Sequence, residues 1–261
     1  AAQTRRSPPT TRSIRDLVMN AAPGVRITER DHDILEHVAR HRITTREAIQ
    51  SVFMPDHELN AASKVLSRLV KADCLSKPRL LPDGQTRYWR LSLSYVNAIG
   101  LHPYHATALT FGPAIEHYGI LSFCCLGNTQ RTLFTRQDFK QQYPDHYDEH
   151  LLRSAYYLDV DDAGVERLGL IVVDSGRRDE MRWVRRFRQL YKRRLILPGF
   201  RSRLRDPKKL FLIAFITPNA DKLAAVDEAV RQAARSGEKW PVAFRFEVEP
   251  RLERMMVPYR A

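Results

Sequence analysis

The 261-residue sequence predicts an α+β protein. Three observations point to that class. Residues 23–95 carry three segments of helical periodicity followed by two short β-prone runs around Asp83-Gly84. Residues 151–261 alternate apolar runs with amphipathic segments in the order β-β-α-β-α-β, which predicts a small mixed sheet with helices packed on it. A hydrophobic content of 43% is enough to fill cores in both units. The basic, Pro-, Ser- and Thr-rich residues 1–22 read as a disordered arm, and residues 96–150 as a mostly helical connecting region.

The first helix is predicted in "ITERDHDILEHVARH", where Thr28 and Asp31 have capping-box spacing and Ile34, Leu35 and Val38 share one face. The second, "TTREAIQSVF", repeats the device with Thr44 and Glu47, buries Ala48, Ile49, Val52 and Phe53, and stops at Pro55. In the third, "HELNAASKVLSRLVKADCL", an apolar stripe of Ala62, Val65, Leu66, Leu69 and Val70 sets Asn60, Ser63, Lys64, Ser67, Arg68 and Lys71 on the opposite side. "LSKPRLLPDGQTRYWRLS" then reads as a hairpin with Lys77, Arg79, Arg87 and Arg90 on its arms.

Three helices and a basic hairpin make the order of an N-terminal winged helix-turn-helix domain. There the third helix enters the major groove and the wing touches the adjacent backbone, since cations grip phosphates while Asn, Ser and Arg read base edges. A winged helix that docks a protein is the alternative.

Charge supports a polyanionic partner, nucleic acid first and an anionic membrane surface second, and the winged-helix order narrows the first to double-stranded DNA. The net charge is +13 and the pI near 10.0. It is uneven: +6 over residues 1–100, −2 over 101–150 and +9 over 151–261. No apolar run reaches the ~18 residues of a spanning helix. The N-terminal stretch lacks the apolar core of a secretory signal, and a cytoplasmic location is expected. The three cysteines, Cys74, Cys124 and Cys125, form no CxxC pair, and the pairs His102/His105 and His146/His150 lack completing ligands. No metal site is predicted, and no cofactor.

The connecting region is the least legible, with "GPAIEHYGILSFCCLG" predicted as a helix entered at Gly112-Pro113. Beyond it, strands are predicted at Tyr156 to Val160, Val165 to Val173, "LFLIAFIT" and "VAFRFEV". The helix predicted from Arg178 to Leu197 sets Trp183, Phe187, Leu190 and Tyr191 on one side. Arg182, Arg185, Arg186, Arg188, Lys192, Arg193 and Arg194 cover the remainder, a surface suited to phosphate or to an acidic protein.

The run "ITERDHDILEHVARHRITTREAIQSVF", the helix ending "LSRLVKADCL" and the hairpin resemble, over residues 26–95, the winged-helix part of the replication-relaxation proteins of plasmids and integrative elements. That resemblance implies a DNA-binding accessory factor for replication, relaxation or transfer. A relaxase or replication protein, and a second copy of the chain, are further expected partners. The resemblance also implies a degenerate nuclease-like C-terminal domain. "VVDSG" is similar to the family's Glu-x-Asp-x-Gly, with Val172 where the Glu stands.

A metal-dependent nuclease is the alternative reading, with Asp159, Asp161 and Asp174 as candidate carboxylates for Mg²⁺ or Mn²⁺. The Lys that this chemistry requires is missing from the second strand, so catalysis is not expected. A transcriptional repressor is a further alternative.

Overall fold

A computed structural model describes residues 27–127, 129–151, 155–160, 164–176, 178–208 and 210–256. The predicted arm over residues 1–22 and the candidate Asp161 lie outside these. The described chain is a mixed α+β fold with ten α-helices, a two-stranded hairpin and a five-stranded mixed sheet.

Helix α1 (Glu29–His41) starts where the capping box requires: Thr28 N donates to Asp31 Oδ2 at 2.9 Å and Asp31 N to Thr28 Oγ1 at 3.3 Å. Helix α2 (Arg46–Phe53) is capped by Thr45, not by the predicted Thr44. The reason is tertiary. Thr44 N donates to Trp89 O at 2.9 Å, and Trp89 N returns a bond to Thr44 O at 2.9 Å, so the Thr44 backbone belongs to a β-bridge.

Helix α3 (Leu59–Lys71) buries Ala62, Val65, Leu66 and Leu69 against α1 and α2. Strands β1 (Arg79–Leu80) and β2 (Arg87–Tyr88) pair antiparallel. Their turn is fixed by Asp83, which accepts from Gln85 N (3.0 Å) and Thr86 N (2.9 Å), and by Gly84 at φ +68°. A short helix α4 (Leu93–Ala98), capped by Ser92, closes this unit.

The connecting region does more than connect. Helix α5 (Phe111–Cys125) starts after Thr110, two residues before the predicted Pro113, and is buried nearly all round, as a helix with one apolar stripe cannot be. Its core includes Ile43, Ala48, Leu81 and Tyr88 from the N-terminal unit, and Tyr157, Ile171, Leu212, Ala214 and Ile216 from the sheet. Gly119 permits the approach, because a Cβ there would lie 2.7 Å from Val173 Cγ1.

The sheet runs β3 (Thr132–Leu133), β4 (Ala155–Val160), β5 (Glu166–Val173), β6 (Phe211–Thr217), β7 (Ala243–Val248). The pairs among β3, β4 and β5 are antiparallel, and β5–β6 and β6–β7 are parallel. Alternation along β6 sends Leu212, Ala214 and Ile216 toward α5 and Phe211, Ile213 and Phe215 toward the other face.

That second face is covered by α6 (Arg136–Gln142), α7 (Glu180–Arg194), α8 (Pro198–Arg205) and α9 (Ala220–Arg235). The final helix, α10 (Pro250–Met256), joins α5 through Leu252, Met255 and Met256. The helix predicted over Arg178 to Leu197 is observed as α7 and ends at Arg194, and a separate helix, α8, begins beyond the predicted range with Pro198 in its first turn.

Candidate nucleic-acid interface

The amphipathic pattern of α3 dictates what it shows to solvent. Asn60, Lys64, Ser67 and Lys71 are exposed, while Ser63 and Arg68 are half-buried beside them. Ser63, Lys64, Ser67, Arg68 and Lys71 line a shallow depression that contains no acidic side chain. Lys64 and Lys71 form no ion pair among the described residues, but Arg68 is held. Its Nη1 and Nη2 lie 2.8 and 2.5 Å from the two carboxylate oxygens of buried Asp31. Burial alone raises the Asp31 pKa, yet the hydrogen bonds from Arg68 and Thr28 overcome it and hold the carboxyl below its ordinary range. Arg68 therefore joins α3 to the start of α1 while its side chain stays 42% exposed.

On the hairpin, Lys77, Arg79 and Arg87 are exposed. Arg90 is half-buried with no partner for its Nε, and burial, then the nearby Arg79 and Arg42, lower its pKa. A guanidinium in that setting gains from an external anion more than an exposed one does.

The basic helix α7 divides its cations. Arg185, Lys192 and Arg193 are exposed, and Arg186 is half-buried. Arg182 pairs with Asp179 at 3.2 Å. Arg188 is engaged by Glu238 through both arms, at 2.7 and 2.5 Å. The expectation that Arg194 meets phosphate is corrected, because it is 1% exposed. It donates to Tyr156 Oη at 2.9 Å and Leu190 O at 2.7 Å, and its guanidinium lies over the Tyr156, Phe200 and Phe211 rings. Its place three residues after Tyr191 and seven after Phe187 puts it on the buried face.

The candidate carboxylates are not brought together. Asp159 is 3% exposed, lies 2.9 Å from Arg245 Nη2, and stands opposite Arg167 on β5. Asp174 follows the other end of β5, seven residues on, a span of roughly 23 Å at ~3.3 Å per residue. It accepts from Gly176 N at 2.8 Å, and burial raises its pKa. The two cannot share one metal ion. One member of each histidine pair is engaged structurally: His102 caps a 3₁₀ turn, and His146 Nε2 accepts from Arg203 Nε at 3.2 Å.

No family model, no curated protein and no solved structure matches the chain.

One group that sequence reading passed over lies where α1 and α5 end: His37, His41 and Cys125, all buried. Burial, then Arg40, bring the His37 pKa down to about 3, and burial lowers that of His41 well below its usual value. Burial pushes the Cys125 thiol up to about 12. The spacing His37-Val-Ala-Arg-His41 was a visible signal, since residues four apart share a helix face.

Proposed function

We propose that the chain is a double-stranded-DNA-binding accessory protein whose N-terminal unit is a winged helix-turn-helix. The observation that carries this reading is the outer face of α3. Among the described residues it offers two lysines without an ion pair, three small hydrogen-bonding side chains and no acid, opposite a packed apolar stripe. That is the composition of a helix that reads a groove between phosphates. The hairpin supports it with three exposed cations beyond a turn locked by Asp83, and the bridge between Thr44 and Trp89 joins the hairpin to the helices as a wing.

In the proposed mechanism Asn60, Ser63 and Ser67 face base edges in the major groove. Lys64, Lys71, Lys77, Arg79, Arg87 and Arg90 meet the backbone, while Arg68 fixes α3 against α1. Replication, relaxation or transfer of a plasmid or mobile element, with a relaxase or replication protein as partner, is the role that the resemblance over residues 26–95 implies. The reading as a nuclease is less well supported, because Asp159 and Asp174 lie toward opposite ends of β5.

Fluorescence anisotropy on duplex DNA over a salt series tests the proposal. Each phosphate contact contributes about −0.9 to the slope of log Kobs against log salt, so Lys64→Ala/Lys71→Ala flattens it by about 1.8. An unchanged slope and affinity in the folded double variant refutes the assignment of α3.

A further inference from the structure

His37 and His41 stand one turn apart at the end of α1, which places both imidazoles on one side. Cys125 is the last residue of α5. Their donor atoms all lie within 4.8 Å of one another. His41 Nε2 is 3.8 Å from Cys125 Sγ. Two ligands of one tetrahedral zinc ion, with Zn–N of ~2.0–2.1 Å and Zn–S of ~2.3 Å, stand about 3.6 Å apart. The His41–Cys125 spacing is already close to that value, and the other pairs, which lie within 4.8 Å, close by at most about 1.4 Å.

The surroundings suit a soft divalent cation. His41 Nδ1 is buried without a partner, an unsatisfied polar atom beside the cluster. Both helices end here, so their last carbonyls add partial negative charge. The cation nearest in sequence, Arg40, is already matched by Glu36 at 2.7 Å and Asp138 at 2.5 Å. All three side chains border a crevice of about 520 Å³, also lined by Asp33, Glu36 and Gln130 and by Arg40 and Arg131, the latter paired with Glu247 at 2.8 Å, and it provides an entry path and room for a fourth ligand.

We propose that His37, His41 and Cys125 bind one zinc ion, which clamps the end of α1 to the end of α5 and so ties the N-terminal unit to the layer that covers the sheet. The fourth position faces the crevice and takes water or a carboxylate. The site is structural in character, because it lies among buried side chains at a junction of helices and away from the outer face of α3. It stands independently of the proposed DNA interface.

Titration of the chelator-treated full chain with Co²⁺, followed by displacement with Zn²⁺, tests the site. The expected result is one equivalent bound, with the intense visible bands of a tetrahedral ion and a near-ultraviolet thiolate-to-cobalt charge-transfer band. Cys125→Ser abolishes the charge-transfer band and Cys124→Ser keeps it. His37→Ala and His41→Gln each weaken zinc binding by more than about tenfold. In the unaltered chain Tm rises with the logarithm of free zinc, and in Cys125→Ser it does not. Circular dichroism establishes that each variant is folded. If Cys125→Ser does not fold, the unaltered chain decides alone. An octahedral spectrum without a thiolate band, a band lost with Cys124 rather than Cys125, or equal zinc affinity in a folded His37→Ala/His41→Gln variant overturns the proposal.

Discussion

Replacing Asp31 with Asn separates the two roles that meet at Arg68, stability and DNA contact, because it moves them in opposite directions. Asp31 is fully buried and accepts four hydrogen bonds, two from Thr28 and two from Arg68. Asn keeps the shape but exchanges one acceptor for an NH₂ donor facing other donors. Charge-assisted bonds contribute ~1.5–3 kcal/mol each, and the half-exposed Arg68 recovers much of its share from water. The expected loss at neutral pH is therefore about 2 kcal/mol, or a Tm decrease of about 4–8 °C for a chain of this size.

The pH dependence has a definite sign. A carboxyl whose pKa is lower folded than unfolded stabilises fully above its unfolded value, ~3.9, and that stabilisation is lost as pH falls through the folded value. The gap between the unaltered and Asp31→Asn proteins is thus full from pH 7 to 5 and closes below about 3.9. Duplex binding responds the other way. The released Arg68 joins Lys64 and Lys71, and the salt slope steepens by up to about 0.9. Urea denaturation at several pH values and anisotropy at several salt concentrations provide the two readouts. A stability gap that persists undiminished at pH 3, or no loss of stability at all, refutes the role given to the ion pair.

Three other substitutions probe packing and the division of charge on α7. In Gly169→Ala the new Cβ would lie 1.9 Å from Tyr157 Cε1, and that ring is backed by Phe123 at 4.9 Å between centroids. The urea midpoint is expected to fall by an amount equivalent to ~1–3 kcal/mol or more. Arg194→Ala leaves Tyr156 Oη without its buried donor and opens a cavity, so it destabilises by about 3 kcal/mol while the salt slope of the folded fraction is unchanged. Arg193→Ala leaves stability within ~0.5 kcal/mol, measured by urea denaturation, and an unchanged salt slope is expected if α7 recruits a protein; a slope flatter by about 0.9 places α7 on phosphate and overturns that assignment.

Local chemistry was legible in the sequence and long-range chemistry was not. The cap of α1 could be read because Thr28 and Asp31 are three residues apart and satisfy each other. The cap of α2 was misread by one position because Trp89, far along the chain, claims the Thr44 backbone. Helix α5 looked like a connector because burial on every side needs partners from both units, which no local window contains. Among the cations, Arg188 is neutralised by Glu238, fifty residues away, whereas Arg194 is the exception: its place on the apolar stripe of its own helix is a local signal that its charge obscured. Net charge counts both as though they were free. The zinc ligands divide in the same way: the His37/His41 spacing is local, but Cys125 joins His41 across 84 residues.

Position in the layers bears on how the two basic surfaces can work together. The N-terminal unit packs on α5, and α5 covers the sheet face to which Ile171, Leu212 and Ala214 point. Trp183, Phe187 and Leu190 of α7 pack on the opposite face, with Phe211, Ile213 and Phe215. The exposed cations of α7, Arg185, Lys192 and Arg193, lie off its buried stripe, and the half-buried Arg186 comes within electrostatic reach of Glu116 on α5. Within the proposed function α7 has three ways to act beside α3: on a bent duplex, on a second DNA segment or on an acidic protein. Bending is costly, ~1–6 kcal/mol for a 20–30 bp site, whereas an acidic protein needs no deformation of DNA. Within the proposed function that cost favours recruitment of an acidic protein as the task of α7, with α3 and the hairpin as the DNA-reading surface.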